Sequence, residues 1–208
     1  MTRADGAATR ADLLEAAARV ISDHGYSGLS TRLVAETADV PLSQIHYHFG
    51  SKLDLVLAVL EEQNHLLLER QRTMFSSEIP LWKQWAQACD YLEDDLRSGY
   101  VRLLQEMIAA GWSDDRIASA VRTQLQGWHG LLGDVARRAA ERVGGLGLFT
   151  AEEYATLAVA AFLGAEQVIL LGFGEEAMPA RSALRKIGDL LKRVEEGEHA
   201  GLSFSPPR

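Results

Sequence analysis

The sequence predicts an all-helical protein, and three observations carry that prediction. Apolar residues recur at helical spacing along almost the whole chain, no run of alternating β-branched residues suggests a strand, and helix-start and helix-stop residues punctuate the pattern. With 208 residues the chain is long enough to bury a substantial core, and 47% hydrophobic beside 24% charged residues describes a folded globular protein.

Leu13, Leu14, Ala17, Val20 and Ile21 stripe a first helix, with Gly25 as its stop. Ser30 offers an N-cap for a short second helix carrying Val34, Ala35 and Ala38. Asp39 and Val40 form a turn, and Pro41 suits the first turn of a third helix that Gly50 ends. Ser51 with Asp54 has capping-box spacing and opens a fourth helix running into the low seventies. Pro80 opens the next helical region, Gly111 closes one, and Ser113 before Asp114 and Asp115 caps another. Gly144, Gly145 and Gly147 make a break, after which Thr150 and Glu153 form a second capping box for an apolar helix ending near Gly172 and Gly174. Leu184, Ile187, Leu191 and Val194 stripe a last helix, and the tail from Gly197 to Arg208 is expected to be disordered.

Composition narrows the function. A net charge of −8 argues against a protein that coats nucleic acid by bulk charge. Residues 1–52 are nearly neutral, however, with five basic side chains (Arg3, Arg10, Arg19, Arg32, Lys52) against six acidic ones (Asp5, Asp12, Glu15, Asp23, Glu36, Asp39). Any DNA surface belongs there and must work through a few well-placed groups. Cys89 is the single cysteine, which excludes an intrachain disulfide and fits a reducing cytoplasm. The first twenty residues lack the apolar run of a secretory signal. Ala155 to Ala165 is the best membrane candidate, but Glu166 and Gln167 cut it at about half the ~20 residues a span needs, so it is expected to be a buried helix.

A helix-turn-helix needs two short helices at a fixed crossing, the second presenting polar side chains to the major groove. Residues 30–49 meet that demand. Small Ala35 lets the helices approach, Val40 plugs the turn, and Ile45 with Phe49 anchors the second helix to the core. Ser43, Gln44 and Tyr47 then point away, with His46 and Leu42 on the flanks.

The run Gly25-Tyr26-Ser27-Gly28-Leu29-Ser30-Thr31-Arg32-Leu33-Val34-Ala35, then Val40, then Ile45-His46-Tyr47-His48-Phe49-Gly50-Ser51-Lys52, closely resembles the TetR family of bacterial regulators over roughly residues 9–60. Asp39 departs from the glycine usual in that family's turn, and an Asp tolerates a left-handed backbone better than most residues. The resemblance implies a repressor released from a palindromic operator by a small-molecule effector. It implies that Thr31 binds a phosphate with its hydroxyl and neighbouring amides, that Arg32 reaches backbone or a guanine edge, and that Tyr47, His48 and Lys52 contact phosphates. Ser43, Gln44 and His46 would contact bases, Gln44 bidentate to adenine, while Leu42 either touches a thymine methyl or completes the core.

One reading helix contacts too few base pairs, so a homodimer on two half-sites is expected. Ala161, Gly164, Ala165 and Val168 in the apolar helix, with Leu184, Ile187 and Leu191 in the last, are its expected interface. A pocket for a largely apolar effector is expected in the middle of the chain, with Trp85, Cys89, Met107, Trp112, Trp128, His129 and Phe162 as candidates. The domains are expected as 1–52 for DNA, 53–196 for effector and dimerisation, and 197–208 as tail.

No enzyme, cofactor or metal is expected. Glu62 with His65 and Glu196 with His199 have the spacing of di-iron bundles, but no additional glutamate pair flanks them. The glycine cluster at 144–147 lacks the strand and Lys-Ser or Lys-Thr of a phosphate loop. The competing class is an all-helical dimer that binds ligands or proteins without touching DNA, which salt-dependent DNA binding would exclude.

Overall fold

The structure, a computed structural model, describes residues 3–143 and 147–197, and among them every regular element is an α-helix. The glycines 144 and 145 and the tail beyond Gly197, both singled out in the sequence, lie outside the described residues, as does His199. The chain divides into two compact units, residues 1–69 with 93–127 and residues 70–92 with 128–208.

The first unit begins with α1 (Arg3–Gly28), whose Leu13, Ala16, Ala17, Val20 and Ile21 are buried. Gly25 was expected to stop this helix. It kinks it instead, at φ 69° and ψ 177°, and a last turn runs on to Gly28. The Arg102 guanidinium lies against Gly25, so a side chain there would meet both a left-handed φ and an occupied space. Then come α2 (Thr31–Thr37) and α3 (Leu42–His48). Ser30 caps α2 as the sequence predicts, its hydroxyl accepting from the Leu33 amide at 3.1 Å. Asp39 carries the turn at φ 53°, and the Val40 amide closes α2 by donating to the Ala35 carbonyl at 3.0 Å.

Ser51 opens α4 (Lys52–Phe75) by accepting from the Asp54 amide at 3.1 Å. Leu55, Val56, Val59 and Leu60 of α4 are all but fully buried, as are Val101, Leu103 and Met107 of α6 (Tyr100–Gly111). Helix α6 holds α1 closely: the Tyr26 amide donates to Glu106 at 3.1 Å, and a Cβ on Gly99 would come within 2.7 Å of the Ser22 Cα. Gly99, at φ 81°, also makes the break between α5 (Leu81–Arg97) and α6, which sequence periodicity did not resolve. Tyr100 donates to Asn64 in the buried interior at 2.9 Å. Asp114, and not Ser113, caps α7 (Asp115–Val143), accepting from the Arg116 and Ile117 amides at 2.9 and 3.1 Å.

The second unit holds the end of α4, most of α5, the later part of α7, α8 (Ala151–Leu170) and α9 (Ala180–Glu195). Thr150 and Glu153 form the expected capping box, each side chain taking the other's backbone amide. The Trp85 indole donates to the Leu184 carbonyl at 2.7 Å, and Glu195 of α9 accepts the Leu81 and Trp82 amides at 2.9 and 3.1 Å, capping α5 from outside its own segment.

The expectation that the apolar helix is buried needs correction. In the single chain α8 has 17% of its apolar 18-residue window buried, and by length and composition it could cross a membrane. Ala151, Ala155, Ala165 and Glu166 face inward, while the turn-by-turn stripe of Ala160, Gly164 and Gln167 is exposed.

Substitutions at two positions test this account. Ser30→Ala removes the α2 cap and is expected to cost about 1 kcal/mol, whereas Ser30→Gly costs only a few tenths. Ile45→Ala, at a fully buried side chain, is expected to cost ~2–5 kcal/mol. Urea unfolding of the three variants measures both.

Candidate nucleic-acid interface

The second short helix is positioned by one buried side chain. Ile45 is 0% exposed, and Phe49 beside it is half-buried with the Arg10 guanidinium 5.3 Å from its ring centre. With that side sunk, the opposite side of α3 turns outward. Ser43, His46 and Tyr47 are exposed, Tyr47 at 77%, and Leu42 is exposed at 42%, so it does not complete the core. Gln44 and His48 are half-buried on the flanks, His48 packing edge-on to the Tyr47 ring at 4.9 Å.

Local bonds set the chemistry of this surface. His46 donates from Nδ1 to the Gly50 carbonyl at 3.2 Å, since a carbonyl can only accept, and this leaves Nε2 as the outward acceptor in the neutral ring. Arg32, exposed at the start of α2, pairs with Glu36 at 3.0 Å; an exposed pair of this kind is weak and exchanges readily for a phosphate. Lys52 differs. Its ammonium donates to the Tyr26 carbonyl at 3.2 Å and stands 4.6 Å from the Tyr26 ring centre, so it ties the start of α4 to the last turn of α1. Thr31 is half-buried in the first turn of α2. All nine side chains named from the sequence thus lie on α2, α3 or the start of α4, within the first unit.

The effector candidates are scattered more widely. The second unit contains a cavity of about 680 Å³, and Trp85 lines it. Phe162 stacks at 5.4 Å on Trp85. Cys89 is buried, and Trp128 and His129 are half-buried, His129 bonding to the Glu152 carbonyl and the Thr156 hydroxyl. Met107 and Trp112 belong to the first unit, Met107 fully buried and Trp112 80% exposed. Residues of α7 outside the aromatic candidates also make part of the wall. Leu132, Val135, Ala136 and Ala139 recur at helical spacing on α7 beside Arg138 and Arg142, a periodicity that could have pointed to them.

Of the expected interface residues, Ala161, Ile187 and Leu191 also line this cavity, Ala165 and Leu184 are buried, Val168 is half-buried and Gly164 is exposed. A Cβ added to Gly164 would meet nothing within 4 Å, so packing inside the chain does not explain a glycine there. Among the described residues no group of three or more His, Cys, Asp or Glu side chains is placed to hold a metal ion.

Known proteins share both the segment and the architecture. The bacterial regulatory proteins of the tetR family match residues 13–59, which span α1 from Leu13 through α3 to Val59 in α4. The HTH-type transcriptional repressor AcnR of Corynebacterium glutamicum is 37% identical over 54 residues, covering 26% of this chain and 29% of AcnR. A TetR-family transcriptional regulator of Pectobacterium atrosepticum has the same fold along the entire length of both chains, with a TM-score of 0.68 and 23% identity. The regulator FadR of Bacillus subtilis, solved in complex with stearoyl-CoA, matches 86% of this chain and 96% of its own, with a TM-score of 0.63 and 14% identity. Residues 13–59 thus match the tetR family of bacterial regulatory proteins, and the helical architecture of the chain is similar to that of the Pectobacterium atrosepticum regulator.

Proposed function

We propose that the protein is a cytoplasmic, homodimeric transcriptional repressor that reads a palindromic operator with α3 and leaves it when a small molecule enters the second unit. The observation that carries this reading is the outward polar side of α3, set opposite a fully buried Ile45. Such an arrangement puts side chains where a major groove can receive them.

On this reading Ser43, Gln44 and His46 contact base edges, with the amide of Gln44 suited to adenine and the outward His46 nitrogen suited to an exocyclic amine. Leu42, being exposed, meets a thymine methyl. Tyr47, His48, Thr31 and Arg32 hold the backbone, and Lys52 serves it while braced on Tyr26. Residues 1–52 are the DNA-contacting part and 53–196 the effector and dimerisation part.

The uncovered stripe of α8 supports dimerisation through Gly164 and its neighbours, together with α9. A second copy suits that stripe better than lipid does, because the polar Gln167 stands in it. That FadR holds stearoyl-CoA supports effector binding by the same fold. Effector binding favours one spacing of the paired reading helices, so operator affinity falls by a shift in population.

Three outcomes are expected. A combined Gln44→Ala and Tyr47→Ala variant loses upstream-DNA affinity by about tenfold or more in a shift assay, while its unfolding midpoint stays near that of the parent; undiminished binding overturns the reading. The logarithm of affinity falls linearly with the logarithm of salt concentration, and Lys52→Ala flattens that slope by about one. Gly164→Glu, placed in open space, leaves helix content intact but converts the dimer to a monomer in sedimentation and removes operator binding.

A further inference from the structure

The cavity of the second unit has a definite chemical character. Its walls are apolar, built by Leu132, Val135, Leu157, Ala158, Ile187 and Leu191 with the rings of Phe75, Trp85 and Tyr154, and its 680 Å³ lies within the range of small-molecule sites. Several polar groups in the wall are already engaged. The Trp85 indole donates to Leu184, the Gln84 amide nitrogen donates to the Ser77 carbonyl at 2.8 Å, and both oxygens of Glu195 take the first amides of α5. Glu195 therefore already has a positive partner in that helix end.

Two charged side chains remain, Arg138 and Arg142 of α7. Four residues apart, they share one face of the helix. Arg138 donates to the Phe75 carbonyl at 3.3 Å, which fixes the guanidinium at the wall while leaving most of its five donors for another acceptor. Glu195 is the one acidic residue among the described lining residues, so the unneutralised charge of the site is positive.

We propose that this cavity takes an amphiphilic anion: an extended apolar body among these walls, ended by a carboxylate held between Arg138 and Arg142. A cationic head would face two guanidiniums, and a neutral head would forgo the charge-assisted bonds that guanidinium makes to carboxylate. Each methylene buried by the body adds about fourfold in affinity, which makes chain length a second determinant. The regulatory meaning of this site rests on the effector reading above, whereas the binding itself needs no DNA.

The test titrates the full-length protein, below micelle formation, with dodecanoate, dodecanol and dodecyltrimethylammonium, following heat by calorimetry and tryptophan fluorescence through Trp85. Dodecanoate is expected to bind at least about tenfold tighter than dodecanol, and the ammonium weakest. A combined R138Q and R142Q variant should bind dodecanol as the parent does, which reports an intact cavity, yet lose the preference for dodecanoate. Ala158→Phe, which fills the cavity, should weaken both. The proposal is overturned if none of the three binds, if dodecanol equals dodecanoate, if the ammonium binds tightest, or if the double variant keeps the preference. A shift assay separates the two layers: selective dodecanoate binding that leaves the DNA complex intact upholds the ligand class and removes the effector role. Release by neutral compounds alone, with no carboxylate bound, overturns the ligand class and keeps the regulator.

Discussion

Burial of Ile45 is the constraint on which the rest of the first unit depends. A seven-residue helix is too short to be stable by itself, since nucleation costs more than so few backbone bonds return. Helix α3 exists because one side chain is driven into the core beside α1 and α2, and the same burial decides which side faces out. On the proposed reading, recognition and folding share an anchor. The turn before it is equally determined: Asp39 holds a left-handed backbone where a β-branched residue would be strained, and the closing bond from Val40 to Ala35 sets the angle at which α3 leaves α2.

On the proposed reading, an acidic protein must bind DNA with few positive charges. Those near α3 are few, and each has a local role before any duplex arrives. Arg32 pairs with Glu36, Lys52 braces the Tyr26 turn, and Arg10 covers the Phe49 ring. Such bracing limits the rotamers a long side chain must give up on binding, which offsets part of what a low charge count costs. The proposed reading then gives the neutral polar and aromatic groups of α3 a larger share of recognition than bulk electrostatics.

The second unit solves a different problem. Helix α8 has more apolar surface than its own chain covers, and the cavity lies among α5, α7, α8 and α9, where apolar walls meet two arginines. Ala161, Ile187 and Leu191 belong to both descriptions, as interface candidates and as cavity wall. Residues shared in this way give a ligand direct purchase on the helices through which two copies would meet, so occupancy and assembly geometry need no long relay between them.

Much of the local chemistry is legible in the amino-acid order. The caps at Ser30, Ser51 and Thr150, the left-handed turn at Asp39 and the burial of Ile45 follow from side-chain hydrogen bonding, backbone sterics and helical period, which act within a few residues. What only the tertiary structure decided involves partners far apart in the chain. Gly25 became a kink with the Arg102 guanidinium against it, Glu195 became the cap of α5, and the seven aromatic and sulfur-bearing candidates for one pocket divided between two units. Periodicity states that a side chain is buried but not against what, and a cavity wall and a solid core have the same pattern. Nothing in the sequence singles out Arg138 and Arg142, which the folded chain leaves exposed yet sets beside an apolar void.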